Sequence, residues 1–595
     1  MIKKSLGLIL VILLIGTVSK SQVKIDFKVS FIEPQAHYAE VEMNISGILK
    51  DYIDVKMPVW TPGSYLVREF AKSVEGFSAT AGGKVVNFEK VRKNAWRVYS
   101  AKASSVKIKY RVYAFEISVR TAFIDESHAF LSSSGIFMYP DGLLKLPSTV
   151  KIVPFSTWSK VSTGLEPVSG HPFTYHAANF DVLFDSPIEV GNQDVFEFTA
   201  SGVRHEVAMY GGGNYDKERL KVDMAKVVTE ATAIYGENPN KHYTFIVHNY
   251  RTGGGGLEHL NSTVLGASRE GYNTERGYKG FLGLVAHEYH HLWNVKRFRP
   301  FALGPFDYDN ENYTTNLWVA EGFTSYFENK IMLRAGFHTE LETIQALAAG
   351  VAAVYNIPGA KVQSAAEASY DAWIKSYRPN ENSGNTTISY YTKGEVIGML
   401  MDLEIAHATK GLKSLDDVMH DGYALYYKKL GRGYTDAEFK SLVEKISGIS
   451  FTSFWQKYVN GTEPVDYQKY FGYAGITVTN ENADKSVPYL GFANKKVEGL
   501  LVVTSVSRNS AGWISGLNVN DQLISIEGVP VEDDIEKMNA VTAKNVGDTL
   551  TLGVKRDGLM KEIKLVLKAS PNVKLVSSFD LNATSEQLKV RKAIL

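Results

Sequence analysis

Cysteine is absent from the 595 residues. Disulfides, thiolate metal ligands and cysteine nucleophiles are therefore excluded. An excess of one charge is also missing: 65 Lys and Arg face 64 Asp and Glu, for a net charge of +1. The chain has no global positive field to hold nucleic acid or an anionic membrane. Long apolar runs are scarce. The run Leu6 to Val18 spans 13 residues, too short for a comfortable transmembrane helix, and no later stretch approaches 18 apolar residues. Internal repeats, low-complexity segments and a G-x-S-x-G serine signature are absent too. What is present is ordinary globular composition, 44% hydrophobic and 22% charged. At about 150 residues per domain, this length suggests about four domains.

The amino terminus reads as an address. Lys3 and Lys4 precede the apolar run, and Ser19 and Ser21 stand at −3 and −1 before Gln22. That is a secretory signal pattern over residues 1–21, so the protein is expected to be exported to a periplasm or the extracellular space. Residues 22–200 alternate in the strand manner, as in Val23 to Val29, Ala39 to Ile45 and Val106 to Val112, and predict an all-β amino-terminal domain. Residues 201–334 mix strands such as Thr244 to Val247 with helical segments at 215–235, 280–295 and 317–334. Residues 335–475 are helical in pattern. Residues 476–570 return to short strands with Gly-rich turns, and the polar tail 571–595 is expected to be peripheral.

One motif carries chemistry. His287-Glu288-Tyr289-His290-His291 contains H-E-x-x-H and follows the apolar run Phe281 to Ala286, which predicts a buried helix. His287 and His291 are i and i+4, so both imidazoles face one way and can share a metal. Glu288, one residue on, can take a proton from the attacking water without occupying a coordination position. With 14 histidines in the chain, chance predicts about 0.02 such motifs; coincidence is a poor explanation. Two histidines leave a Zn²⁺ site one protein ligand short. The segment Leu317 to Glu328 offers Glu321 and, seven residues on, Glu328. Either could ligate, and one could orient a ligand from behind.

Trp318-Val319-Ala320-Glu321-Gly322-Phe323 resembles the W-x-x-E-G-F segment of the gluzincin aminopeptidases, in which that Glu is the third zinc ligand. Twenty-nine residues separate His291 from Glu321, longer than is usual in the M1 aminopeptidases. The insert Trp293 to Pro300, together with Pro58 to Tyr65 and Arg68-Glu69-Phe70, resembles the M61 family, whose named member is the glycyl aminopeptidase. The resemblance extends over about 23–570. It implies zinc at His287, His291 and Glu321 and the general base at Glu288, in a thermolysin-like catalytic domain. Gly253-Gly254-Gly255-Gly256-Leu257-Glu258-His259 resembles the strand whose Glu binds the substrate's α-ammonium. That fits an edge strand where Gly256 lets a peptide lie close and Glu258 selects a cation. No G-K-[ST] follows these glycines, so they are not a phosphate loop. Tyr390-Tyr391-Thr392-Lys393-Gly394 resembles the Y-x-K-G segment whose Tyr supports the oxyanion. By register this is Tyr391, with Tyr390 the other candidate.

Tyr489-Leu490-Gly491-Phe492, with Ser510 to Leu517 and Asp521 to Gly528, resembles the carboxylate loop and following turns of PDZ domains. It implies capture of an extended peptide by strand addition, its carboxy end held near Gly491. The expected protein is thus a multidomain α+β chain: an all-β domain, a zinc catalytic domain, a helical domain and a PDZ domain. The expected activity is secreted zinc aminopeptidase on peptides, with the family's preference for Gly and Ala. A zinc endopeptidase of the same fold differs in needing no free amine. A PDZ scaffold would need no intact zinc motif.

Overall fold

The computed structural model describes residues 23–531 and 543–595. Residues 1–21, read as a signal peptide, lie outside the described residues.

The amino-terminal domain is all β, as the alternation requires. Lys24–Ser30 pairs antiparallel with Tyr38–Ser46, placing Phe27 opposite Met43, and parallel with Ser148–Val153. These strands belong to an eight-stranded sheet that packs with two four-stranded sheets. Every second side chain turns inward: Ile25, Phe27 and Val29 on one strand, Val41, Met43 and Ile45 on the next. Polar residues between them face out, the signature of a sheet covered on one side.

The boundary near 200 is displaced. Asp194–Ala200 and Val203–Tyr210 form a hairpin in the next domain's sheet, not in the first. That sheet has five strands, continuing with His242–Tyr250, Ser262–Ser268 and, at the edge, Gly256–Glu258. The last strand runs antiparallel to its neighbour, while the two central pairings are parallel. Helices Lys217–Tyr235 and Glu275–His290 share a large core with it.

The helical domain surrounds the helix Tyr390–Ala408, which packs on the turn bearing Glu321 and on Thr324–Arg334. Glycines make that approach possible: a Cβ on Gly322 or Gly394 would run into the other helical segment's backbone. A buried ion network fastens these helices together. Lys330 Nζ lies 2.7 Å from Asp402 and 2.6 Å from Asp416, and Tyr326 donates to Asp402 at 2.7 Å.

The carboxy-terminal bounds are also corrected. The sheet of the small domain begins near Phe492 and ends at Val566, whereas Ile476–Asn480 pairs instead with Leu575–Phe579. The tail is not peripheral. Ser585–Ile594 is a helix with a Thr584–Gln587 capping box, and it buries Val590 and Ile594 against the helical domain. Within this helix only these i, i+4 residues are buried, so the tail's polar composition concealed a docked helix. Among the described residues, no helix is long and apolar enough to cross a membrane.

Candidate active site

The motif helix Glu275–His290 begins at Thr274, whose hydroxyl accepts from Gly277 N. It buries Phe281, Leu282, Val285, Ala286 and Tyr289, so His287 and Glu288 emerge on its remaining face, toward a cavity. His290, between Glu288 and His291, points elsewhere: its ring meets Tyr235 Oη at 2.9 Å and Thr324 Oγ1 at 3.1 Å. Burial and the neighbouring histidines hold its pKa well below the usual range. It is a neutral packing residue.

Glu321 arrives on a different device. Trp318–Phe323 is a π-helical turn that continues as the α-helix Thr324–Arg334. Such wide turns re-aim a side chain and recur at functional sites. Asn294, just past the motif helix, donates to the carbonyls of Val319 at 2.9 Å and Ala320 at 3.3 Å, joining this turn to the histidines.

The result is convergent. Glu321 Oε2 lies 3.2 Å from His291 Nε2 and 3.7 Å from His287 Nε2. The opposite ring nitrogens are occupied: His291 Nδ1 meets Asn294 O at 2.7 Å, and His287 Nδ1 lies 3.3 Å from Glu328 Oε2. Glu321 faces the inward nitrogens, whereas Glu328 faces Nδ1 of His287 on the other side of that ring. Ligand atoms of His287, His291 and Glu321 all lie within 4.8 Å of one another, as do those of Glu258, Glu288 and His291. The first set could hold a metal ion.

Electrostatics follow from burial and charge. Burial opposes charge on Glu321, but the two histidines outweigh it and hold its carboxyl well below the usual range. Burial also opposes charge on His287, which Glu321 and Glu328 nevertheless hold well above its usual value. For Glu288 burial dominates, the histidines oppose it and Glu258 adds to it, so its pKa is pushed up to about 7. Glu288 Oε2 and Glu258 Oε1 are buried without hydrogen-bond partners, costly unless a ligand meets them.

The cavity, about 630 Å³, is lined by Gly256, Glu258, His287, Glu288, Glu321 and Tyr391 among others. Tyr391 stacks near His287, ring centroids 6.3 Å apart. Burial and the Glu321 charge keep its phenol far above its usual pKa, so it remains a donor. Tyr390 is wholly buried and does not line the cavity. Gly256 is pressed against Glu288, whose carboxylate occupies the place of a Cβ. Gly491 lies far along the chain in the small domain, with φ +72 and its missing side chain facing Ser510. Its carbonyl accepts from Ser507 N and Ser510 Oγ.

Two features escaped the sequence reading. Thr61-Pro62-Gly63-Ser64 is a tight turn, Ser64 N donating to Thr61 O at 3.1 Å, with Gly63 at φ +83 as its third position requires. Trp60 anchors it in the catalytic core, donating to Asp307 O at 2.8 Å. Gly63 thereby sits on the Glu258 carboxylate. Arg120, from the same β domain, lines the cavity and donates to Gly256 O at 3.4 Å. The P-G dipeptide signalled a turn; nothing in the local pattern signalled where it docks, and Arg120 left no trace.

The fold is like that of the gluzincin-type metallopeptidases. Within it, residues 26–192 match the Peptidase M61 N-terminal domain and residues 280–397 the M61 glycyl aminopeptidase; residues 488–567 match a PDZ domain. The chain thus has the domain composition of an M61 peptidase with a carboxy-terminal PDZ domain. A solved aminopeptidase N family protein from Idiomarina loihiensis is 28% identical, with a TM-score of 0.87 over 95% of this chain and 99% of that one. A variant of an M1 zinc metallopeptidase from Deinococcus radiodurans is 14% identical, with a TM-score of 0.48 over 74% of this chain and 96% of that one. No curated protein matches the chain. The M61 glycyl aminopeptidase match and the Idiomarina structure support a metallo-aminopeptidase.

Proposed function

We propose that the protein is an exported, zinc-dependent aminopeptidase that removes small residues, Gly and Ala, from the amino ends of peptides. The observation that carries the reading is the convergence of His287 Nε2, His291 Nε2 and Glu321 Oε2. Around it stand two buried carboxylates with unpartnered oxygens, Glu258 and Glu288. Two imidazole nitrogens and one carboxylate form a donor set suited to Zn²⁺, with a position left open. A bound Zn²⁺ would be held by these three residues and would supply Lewis-acid polarisation of the scissile carbonyl and a more acidic water.

The chain's own residues do the rest. Glu258 holds the α-ammonium and fixes the amino end, so that the first peptide bond is the one presented. Glu288 accepts the water's proton and returns it to the leaving amine; a carboxyl pushed up to about 7 suits both halves of that task. Tyr391 donates to the oxyanion as charge develops. The Pro62-Gly63 turn seated on Glu258 closes the amine end of the cavity. That closure and the glycyl aminopeptidase match support a preference for small first residues.

Export is supported by the apolar run Leu6 to Val18 followed by Ser19 and Ser21. The PDZ domain is a site for the carboxy end of an extended peptide at Tyr489 to Phe492. The test is turnover of glycine, alanine, leucine and phenylalanine amides with free amines. Faster turnover of glycine and alanine is expected; faster turnover of the larger two would remove the small-residue preference.

A further inference from the structure

Arg120 is the one Arg or Lys among the described residues that line the catalytic cavity, where Glu258, Glu288, Glu321 and Glu328 also stand. It nevertheless makes no ion pair with any described residue. Neither does Arg68, whose side chain donates to Ser64 Oγ at 2.9 Å, one residue from Gly63. The Nε atoms of both are buried and have no hydrogen-bond partner. The two guanidiniums also feel each other: burial, then the charge of Arg120, lowers the pKa of Arg68, and Glu116 and Tyr377 only partly oppose this. Two like charges with unpartnered donors are unfavourable together unless an anion joins them.

Position suggests which anion. Arg120 touches Gly256 O, and Glu258 lies two residues further along the same strand. In extended backbone two residues span roughly 7 Å, close to the length of a dipeptide. We propose that Arg120 receives a substrate carboxylate, that of the carboxy end of a dipeptide or tripeptide whose amine is held by Glu258. This inference rests on the aminopeptidase reading and narrows it: the catalytic domain serves short peptides gripped at both ends. A guanidinium presents paired donors in the plane a carboxylate needs. An acidic first side chain is the other source of the same group.

The experiment compares kcat/KM for Ala-Ala and Ala-Ala amide, and for Asp and Asn amides, in the zinc-loaded full chain, Arg120→Gln, Arg120→Lys and Arg68→Gln. Within the parent, Ala-Ala should exceed its amide by about ten- to a hundredfold, the worth of a hydrogen bond between charged groups. That ratio should fall toward one in Arg120→Gln and be partly kept in Arg120→Lys. Because each variant is read as a ratio, a general loss of folded protein cancels. A parental preference for Asp over Asn that Arg120→Gln abolishes would keep the carboxylate site and assign it to the first side chain. Equal turnover within both pairs in the parent overturns the proposal. If the parent turns over none of these, the aminopeptidase reading has failed instead. Calorimetric binding of Ala-Ala against its amide, to the parent and Arg120→Gln, then decides the carboxylate site alone.

Discussion

Gly63→Ala is the most structure-specific perturbation of the amine end. A Cβ at this position would lie 2.6 and 2.7 Å from the two Glu258 carboxylate oxygens and 2.7 Å from Leu257 Cδ1. To regain ordinary contact, the carboxylate must retreat by about 0.8 Å into the cavity that it lines, away from the place proposed for the substrate amine. The left-handed φ of +83 adds about 1–2 kcal/mol of backbone strain in alanine. A shift near 1 Å in a positioning group costs up to about a hundredfold. Loss of the charge-assisted contact, about 1.5–3 kcal/mol, gives a similar figure. The prediction is therefore a ten- to hundredfold fall in kcat/KM for alanine amide, with zinc content retained and melting lowered by only a few degrees. The assay pairs steady-state kinetics with metal analysis and thermal unfolding of the same preparation. Parental kcat/KM in a folded, zinc-loaded Gly63→Ala would refute the placement of Glu258 at the substrate amine.

Further outcomes follow from the same geometry. Glu288→Gln keeps the shape and removes the proton acceptor, so zinc should stay while kcat falls by about 100- to 10,000-fold; near-normal turnover with metal bound would exclude Glu288 as base. Tyr391→Phe should lower kcat by about 100- to 1,000-fold with KM little changed, and Tyr390→Phe, outside the cavity, should do much less. Reversed effects would shift the oxyanion donor by one residue. Asp402→Ala leaves Lys330 buried with Asp416 as its remaining partner and removes the acceptor of Tyr326. Urea titration should show a loss of about 3–5 kcal/mol, and an unchanged midpoint would mean that the network is not structural.

The sequence disclosed most where chemistry is written in short spacing. H-E-x-x-H placed His287, Glu288 and His291 on one helix because i, i+4 geometry is local. Strand alternation disclosed the all-β domain for the same reason, since period two survives without tertiary knowledge. The roles of Glu321 and Glu328 were not separable on spacing alone. Their seven-residue offset implies one helical face, but the π turn Trp318–Phe323 changes the phase, so the two carboxylates meet opposite nitrogens of His287. The boundary at 200 cut the hairpin of Asp194–Ala200 with Val203–Tyr210 in two, because strand pattern does not say which sheet a strand joins. The docking of Gly63 on Glu258 joins residues almost two hundred apart in the chain and belongs to the interface between domains. Arg120 is a long-range partner of the same kind.

The central claim is that one zinc ion and a free substrate amine meet in the cavity beneath Glu258. The most direct measurement is cleavage of Ala-Ala-Ala and its amino-acetylated form by metal-analysed protein, repeated after chelation and readdition of zinc. The account predicts about one Zn²⁺ per chain, release of alanine from the free peptide, no cleavage of the acetylated one, and activity that leaves and returns with the metal. Equal cleavage of the two peptides would identify an endopeptidase, and full activity without zinc would contradict the account at its base.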